Sequence, residues 1–156
     1  LLRAASLYWR AWAKAEIANG KQIMRKVINV SSTSGVAGNA GQVNYAAGKM
    51  GIVGVTKTLA REWGRLNVNV NAVAYGFIET RLTAAKDAAS KAKAEVDGQQ
   101  VELGIPEEIR KQAKAMIPLG RAGTPEEAAG PVLFLASPLA DYVTGTVVRV
   151  TGGSYM

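Results

Sequence analysis

The sequence predicts an α/β protein, a parallel sheet covered by helices. Three observations point there. Short valine-rich segments of strand length recur, KVINV at 26–30, NVNVNAVA at 67–74 and VVRV at 147–150. Between them lie stretches with helical apolar spacing or helix-start signals. No internal repeat and no long linker divides the 156 residues, which suit one domain.

Taken in order, Leu1, Ala5, Tyr8, Trp9 and Trp12 recur at the helical period until Asn19-Gly20. No Ser, Thr, Asp or Asn precedes this helix to cap it, so we expect a piece of a longer chain. KVINV follows as a short buried strand, then a serine- and glycine-rich turn. Residues 45–63 read as a helix of about five turns. Its Ala46, Ala47, Gly48, Gly51 and Gly54 would allow close approach to a neighbour. NVNVNAVA is the second strand. Residues 82–103, rich in Ala, Lys, Gln and Glu, read as a helical excursion with a mobile middle. Thr124-Pro125-Glu126-Glu127 is a capping box with proline at the first helical position, and the helix it starts should end near Ala136. VVRV is the last strand, closed by Gly152-Gly153.

Composition narrows the function. The chain is 48% hydrophobic and 20% charged, ordinary for a globular protein. No apolar run approaches the ~18 residues of a membrane span, and no secretory signal is visible, so no membrane partner and a cytoplasmic location are expected. The charge of +7 is scattered among acids, as in Lys91-Ala92-Lys93-Ala94-Glu95, which favours a solvated surface over a nucleic-acid partner. With no cysteine and no histidine, disulfides, thiolate chemistry and a metal site are not expected.

Proton chemistry near neutral pH therefore needs another donor. Tyr45 and Lys49 are four residues apart at the start of a helix, on one face. Ser32 ends the preceding strand, and ligands of open α/β sheets bind outside the carboxyl ends of strands. A phenol ordinarily titrates near ~10, too high for a base, but an ammonium beside it favours the phenolate. Such a phenol can give a proton to a carbonyl oxygen or take one from an alcohol, while a serine hydroxyl orients the same oxygen. The set suits carbonyl–alcohol interconversion if something else carries the hydride. The bland reading is a packed ring beside a solvated amine, with Ser32 merely ending a strand. Gly35, Gly38 and Gly41 follow G-x-x-G-x-x-G, which fits a permissive loop and not the dinucleotide fingerprint G-x-G-x-x-G.

The stretch NVSSTSGVAGNAGQVNYAAGKMGIVGVTKTLAREWG resembles the active-site region of the short-chain dehydrogenase/reductase family, whose serine precedes the tyrosine by 13 residues and whose lysine follows by four, as Ser32, Tyr45 and Lys49 do. VNAVAYGFIETRLT (70–83) is similar to the segment that contacts the nicotinamide, and residues 117–153 to the C-terminal helix, seventh strand and oligomer surface. Within the family the chain looks most like 3-oxoacyl-carrier-protein reductases. The resemblance implies a Rossmann-like doubly wound parallel sheet, here its C-terminal half with strands five to seven, lacking the glycine-rich nucleotide turn. It implies NADP or NAD as cofactor, a carbonyl or 3-oxoacyl thioester substrate, and a homo-oligomer. Ser32 would bond the substrate carbonyl, Tyr45 would be the acid/base, and Lys49 would tune it and hold the nicotinamide ribose. Gly76 would lie beside the cofactor, Ile78 would meet the carboxamide through its backbone, and Thr80 would lie near that group or the pyrophosphate, or simply cap a turn.

Two departures stand out. Tyr75-Gly76 replaces the usual Pro-Gly, leaving the backbone freer and adding a ring near the nicotinamide. Thr151 replaces an aspartate, with no expected consequence. The loss of neighbouring strands would expose a sheet edge and an apolar helix face. The contrasting possibility is a catalytically impaired fragment acting only as an oligomerisation module.

Overall fold

The computed structural model describes residues 2–85, 93–96, 99–102 and 104–155. Helix α1 (Leu2–Ala18) leads to strand β1 (Arg25–Ser32), the short α2 (Thr33–Ala37) and the long α3 (Val43–Trp63). Strand β2 (Val68–Tyr75), the pair β3 (Lys93–Val96) and β4 (Gln99–Glu102), helices α4 (Glu107–Ala115) and α5 (Pro125–Ala136), and strand β5 (Val147–Val150) follow. β1, β2 and β5 form one parallel sheet in that order. Arg25 lies opposite Val68, and the register runs unbroken to Ser32 opposite Tyr75.

Because successive strand residues point to opposite faces, β2 feeds two cores. Val68 and Val70 pack with Val27, Ala60 and Trp63, covered by Trp9 of α1. The Trp9 and Trp63 rings meet edge to face, 5.3 Å between centroids. On the opposite face Val73 packs with Leu135 of α5 and Ala140, joined by Ile28, Tyr75 and Val148. This two-sided covering is the doubly wound arrangement expected.

The alternating asparagines of NVNVNAVA have a structural job on the α5 face. Asn71 Nδ2 donates to the Val143 carbonyl at 2.8 Å, and its Oδ1 accepts from the Thr146 N–H at 3.1 Å. Asn69 accepts from Lys26 Nζ and donates to the Asp141 carbonyl. Both are buried and satisfied, and they staple β2 to the loop that enters β5.

The α1 helix ends at Asn19-Gly20, where Gly20 adopts φ +68°, a left-handed conformation that suits glycine. The capping box of α5 is complete: Thr124 Oγ1 accepts from the Glu127 N–H, and the Glu127 carboxylate accepts from the Thr124 N–H at 2.9 Å.

The helical reading of residues 82–103 is corrected. β3 and β4 form an antiparallel pair, Lys93 opposite Glu102 and Val96 opposite Gln99. Asp97 and Gly98 lie outside the described residues, and the pairing on either side of them overrides a helix-forming composition. The expected mobile middle falls largely on residues 86–92, outside the described ones. Helices α2 and α4 were not expected. α4 carries Glu107 and Glu108 in its first turn and Lys114 in its last, which complements the helix dipole.

Among the described residues no strand pairs with the outer edge of β1. Gly48, Gly51 and Gly54 of α3 face open space, since a methyl at each would meet no atom within 4 Å. The close approach expected of that stripe is to no element among the described residues. Among these residues no helix is long and apolar enough to cross a membrane.

Candidate active site

Ser32, Tyr45, Lys49, Gly76, Ile78 and Thr80 all line one cleft of about 900 Å³ at the carboxyl ends of β1 and β2. Its far wall is apolar, built by Ala128, Ala129, Val132 and Leu133 of α5. The three side chains proposed for proton transfer thus share one space rather than separate faces.

Strand β1 supplies one side of the site. Ser32 both ends the strand and caps α2, its Oγ accepting from the Ser34 N–H at 3.2 Å. A hydroxyl that accepts from the backbone keeps its own proton free to donate. Ser31, on the other face, is buried and donates from Oγ to the Lys49 carbonyl at 2.7 Å.

Helix α3 supplies the other side. The Tyr45 side chain opens to the cleft, 46% exposed. Lys49 Nζ lies 5.7 Å from the Tyr45 ring centroid and donates to the Val30 carbonyl at 3.1 Å. An ammonium has three donors, so two remain for a ligand. The first turns of α3 are held against α2 without clearance: a methyl at Gly35 would sit 2.8 Å from the Lys49 Cβ, the Lys49 carbonyl carbon and the Met50 N. Gly35 therefore serves close packing, whereas Gly38 (φ +81°) and Gly41 (φ +79°) are the permissive loop positions.

The segment after β2 borders the mouth. Ile78 bridges to Gly123: Glu79 N–H donates to the Gly123 carbonyl, and Gly123 N–H to that of Phe77. This turns the backbone of Ile78 away from Gly123. Its carbonyl accepts from Thr83 Oγ1 at 2.6 Å, and among the described residues its N–H has no acceptor. Thr80 is engaged in the same turn, its N–H donating to Thr83 Oγ1 at 2.8 Å, and it also lines the cleft. Thr83 was missed by sequence reasoning. The Thr-x-x-Thr spacing of Thr80 and Thr83 was the available signal.

Tyr75 does not loosen the chain. Its hydroxyl donates to the Ala128 carbonyl of α5 at 2.8 Å, its carbonyl accepts from Thr33 Oγ1 at 3.2 Å, and Gly76 N–H donates to Val150 at 3.0 Å. Burial pushes its phenol above the usual tyrosine value.

A family model described as enoyl-(acyl carrier protein) reductase matches residues 3–155. The chain belongs to the short-chain dehydrogenase/reductase family. It is 47% identical over 135 residues to the 3-oxoacyl-[acyl-carrier-protein] reductase FabG of Aquifex aeolicus, covering 86% of this chain and 47% of that protein. The corresponding reductase of Thermotoga maritima is 46% identical over 133 residues, 85% of this chain and 46% of the relative. The (3R)-3-hydroxyacyl-CoA dehydrogenase of Homo sapiens is 39% identical over 155 residues, 99% of this chain and 51% of the relative. The chain spans about half the length of these short-chain dehydrogenase/reductase relatives.

Proposed function

We propose that this chain is the C-terminal, catalytic and oligomer-forming part of a Rossmann-type oxidoreductase domain that interconverts a carbonyl and a secondary alcohol, most specifically by reducing a 3-oxoacyl thioester with NADPH. The observation that carries the reading is the convergence of Ser32, Tyr45 and Lys49 on one cleft with an apolar wall. The relatives' names, 3-oxoacyl-[acyl-carrier-protein] reductase and (3R)-3-hydroxyacyl-CoA dehydrogenase, supply the two ends of such a reaction.

The residues present suit a nicotinamide cofactor. The Ile78 N–H has no acceptor among the described residues and can receive a carboxamide oxygen, and Lys49 keeps two donors for ribose hydroxyls. Gly76 and Thr80 border the same space. When bound, NADPH or NADH supplies the hydride. The protein does the rest. Ser32 donates to the carbonyl oxygen and holds it near the phenol. Tyr45 gives its proton to that oxygen as negative charge grows there, and the Lys49 ammonium supports the phenolate left behind. The apolar α5 wall excludes water on one side of the reacting carbon. The absence of cysteine and of a membrane-length helix among the described residues accords with our assignment to the cytoplasm.

The test is direct. The full-length protein that contains this chain is mixed with NADPH and a 3-oxobutanoyl thioester, and the loss of reduced nicotinamide is followed. Tyr45→Phe should lower turnover by about 10²–10⁴-fold, the usual worth of a general acid, with cofactor affinity largely kept. A variant that keeps most of the rate overturns the acid/base assignment.

A second reading rests on α1 and α3, which present Leu7, Tyr8, Trp12, Val43 and Met50 to solvent. These faces suit association with like subunits. Sedimentation showing a discrete oligomer with no nucleotide binding would favour an oligomerisation module over a reductase.

A further inference from the structure

We infer that Tyr75 is a specificity-determining residue of the reductase site proposed above, its ring closing the cleft beside Ser32 and its hydroxyl fixing the α5 wall. Ser32 and Tyr75 are direct neighbours in the parallel register, so their side chains leave the sheet on the same face. Both line the cleft.

The ring cannot swing away. Thr33 Oγ1 holds the Tyr75 carbonyl, the ring packs beside Val73 and Leu135, and the hydroxyl reaches Ala128. The strand end behind it is equally confined, because a methyl at Gly76 would lie 3.1 Å from Thr151 Cα. A phenol is protonated at neutral pH in any case, and burial pushes this one further in that direction.

Helix α5 is weakened one residue from this tether. Pro131 lies inside it and offers no N–H to the Glu127 carbonyl, and its ring crowds that carbonyl. Tyr75 donates to the next carbonyl along, Ala128, from the sheet side. Ala128 and Val132 are themselves part of the cleft wall. The length of the Tyr75 side chain therefore sets the distance between the Ser32 end of the sheet and α5.

Ring and hydroxyl do separable things. A carbonyl held at Ser32 presents one substituent to the Tyr75 ring. On this inference the ring, fixed beside Ser32, favours a slim, unbranched group over a phenyl or branched one. The hydroxyl governs the rigidity of α5.

The experiment compares two N-acetylcysteamine thioesters, 3-oxobutanoyl and 3-oxo-3-phenylpropanoyl, by NMR titration against the wild type, Tyr75→Phe and Tyr75→Ala. NADPH turnover and α5 amide exchange are measured alongside. The wild type and Tyr75→Phe should both prefer the slim thioester. Tyr75→Ala should reduce that preference by about tenfold or more, the scale on which apolar pockets discriminate shape. Amide exchange in α5 should quicken in both variants. If Tyr75→Ala does not fold, Tyr75→Leu replaces it. A preference unchanged on removing the ring overturns the specificity role, and unchanged α5 exchange in Tyr75→Phe overturns the tether. A wild type without turnover whose binding preference still depends on the ring would defeat the reductase reading and leave this inference standing.

Discussion

Gly35 offers the sharpest test of how the candidate site is held. Replacing it by alanine adds one methyl, and that methyl would lie 2.8 Å from three atoms of Lys49 and Met50, two of them backbone. Backbone atoms in the first turns of a 21-residue helix cannot step aside singly. Forced methyl groups in packed sites cost about 1–3 kcal/mol. Against this, alanine in a helix gains roughly 0.5–1 kcal/mol over glycine, so the net expectation is a loss of about 0–2.5 kcal/mol. Gly54→Ala is the matched control: it lies in α3 with no atom within 4 Å of the added methyl, and should gain about 0.5–1 kcal/mol. Urea unfolding followed by circular dichroism reads both. Because the clash displaces Lys49, Gly35→Ala should also weaken nicotinamide binding in fluorescence titrations, while Gly54→Ala leaves it unchanged. A Gly35→Ala midpoint raised above the wild type, as in Gly54→Ala, would refute the packing argument. A destabilised Gly54→Ala would mark that face of α3 as covered in an assembly.

Two further outcomes follow from polar groups. Asn71→Ala removes one donor and one acceptor whose partners, the Val143 carbonyl and Thr146 N–H, enter β5, and should cost about 2–5 kcal/mol by denaturant unfolding. A stability unchanged within error would show that water satisfies those groups. Glu127 has its carboxyl lowered to about 2 by the Arg121 guanidinium and then by the Thr124 N–H. Its folded value lies below the ordinary one, so its stabilisation is present above about pH 4.5 and disappears as the pH falls toward 2. Thermal unfolding between those limits should lose that component in Glu127→Gln. A variant with the wild-type slope would place the titration elsewhere.

The fold was legible wherever one local signal dominated. The last strand and α5 could be bounded from sequence because VVRV is isolated by glycines and the capping box marks a helix start physically. Ser32, Tyr45 and Lys49 could be placed in one crevice because helix periodicity and strand polarity are fixed by backbone geometry. What escaped depended on competition or distance. Ser32 begins a helix as well as ending a strand, and α2 is only five residues long, below the length at which periodicity is readable. Residues 93–96 and 99–102 have the composition of a helix but pair as strands, since propensity is a weak prior that pairing overrides. The Tyr75 hydroxyl finds Ala128, 53 positions away, and no local pattern encodes that contact.

Three consecutive residues of β1 show why strand register and function cannot be separated in this domain. Val30 gives its carbonyl to the Lys49 ammonium, Ser31 gives its hydroxyl to the Lys49 carbonyl, and Ser32 turns its hydroxyl to the cleft. The middle one points to the opposite face from its neighbours, so the strand grips the lysine at head and backbone while leaving the next side chain free. A slip of one residue would invert all of this together. Ser32 would leave the cleft, the hydroxyl anchor of Lys49 would be lost, and Val27 would leave the core beneath α3 for the opposite face of the sheet. The buried valines that fix the register of β1 against β2 are therefore as necessary to the alignment of the groups we propose for proton transfer as the hydroxyls themselves.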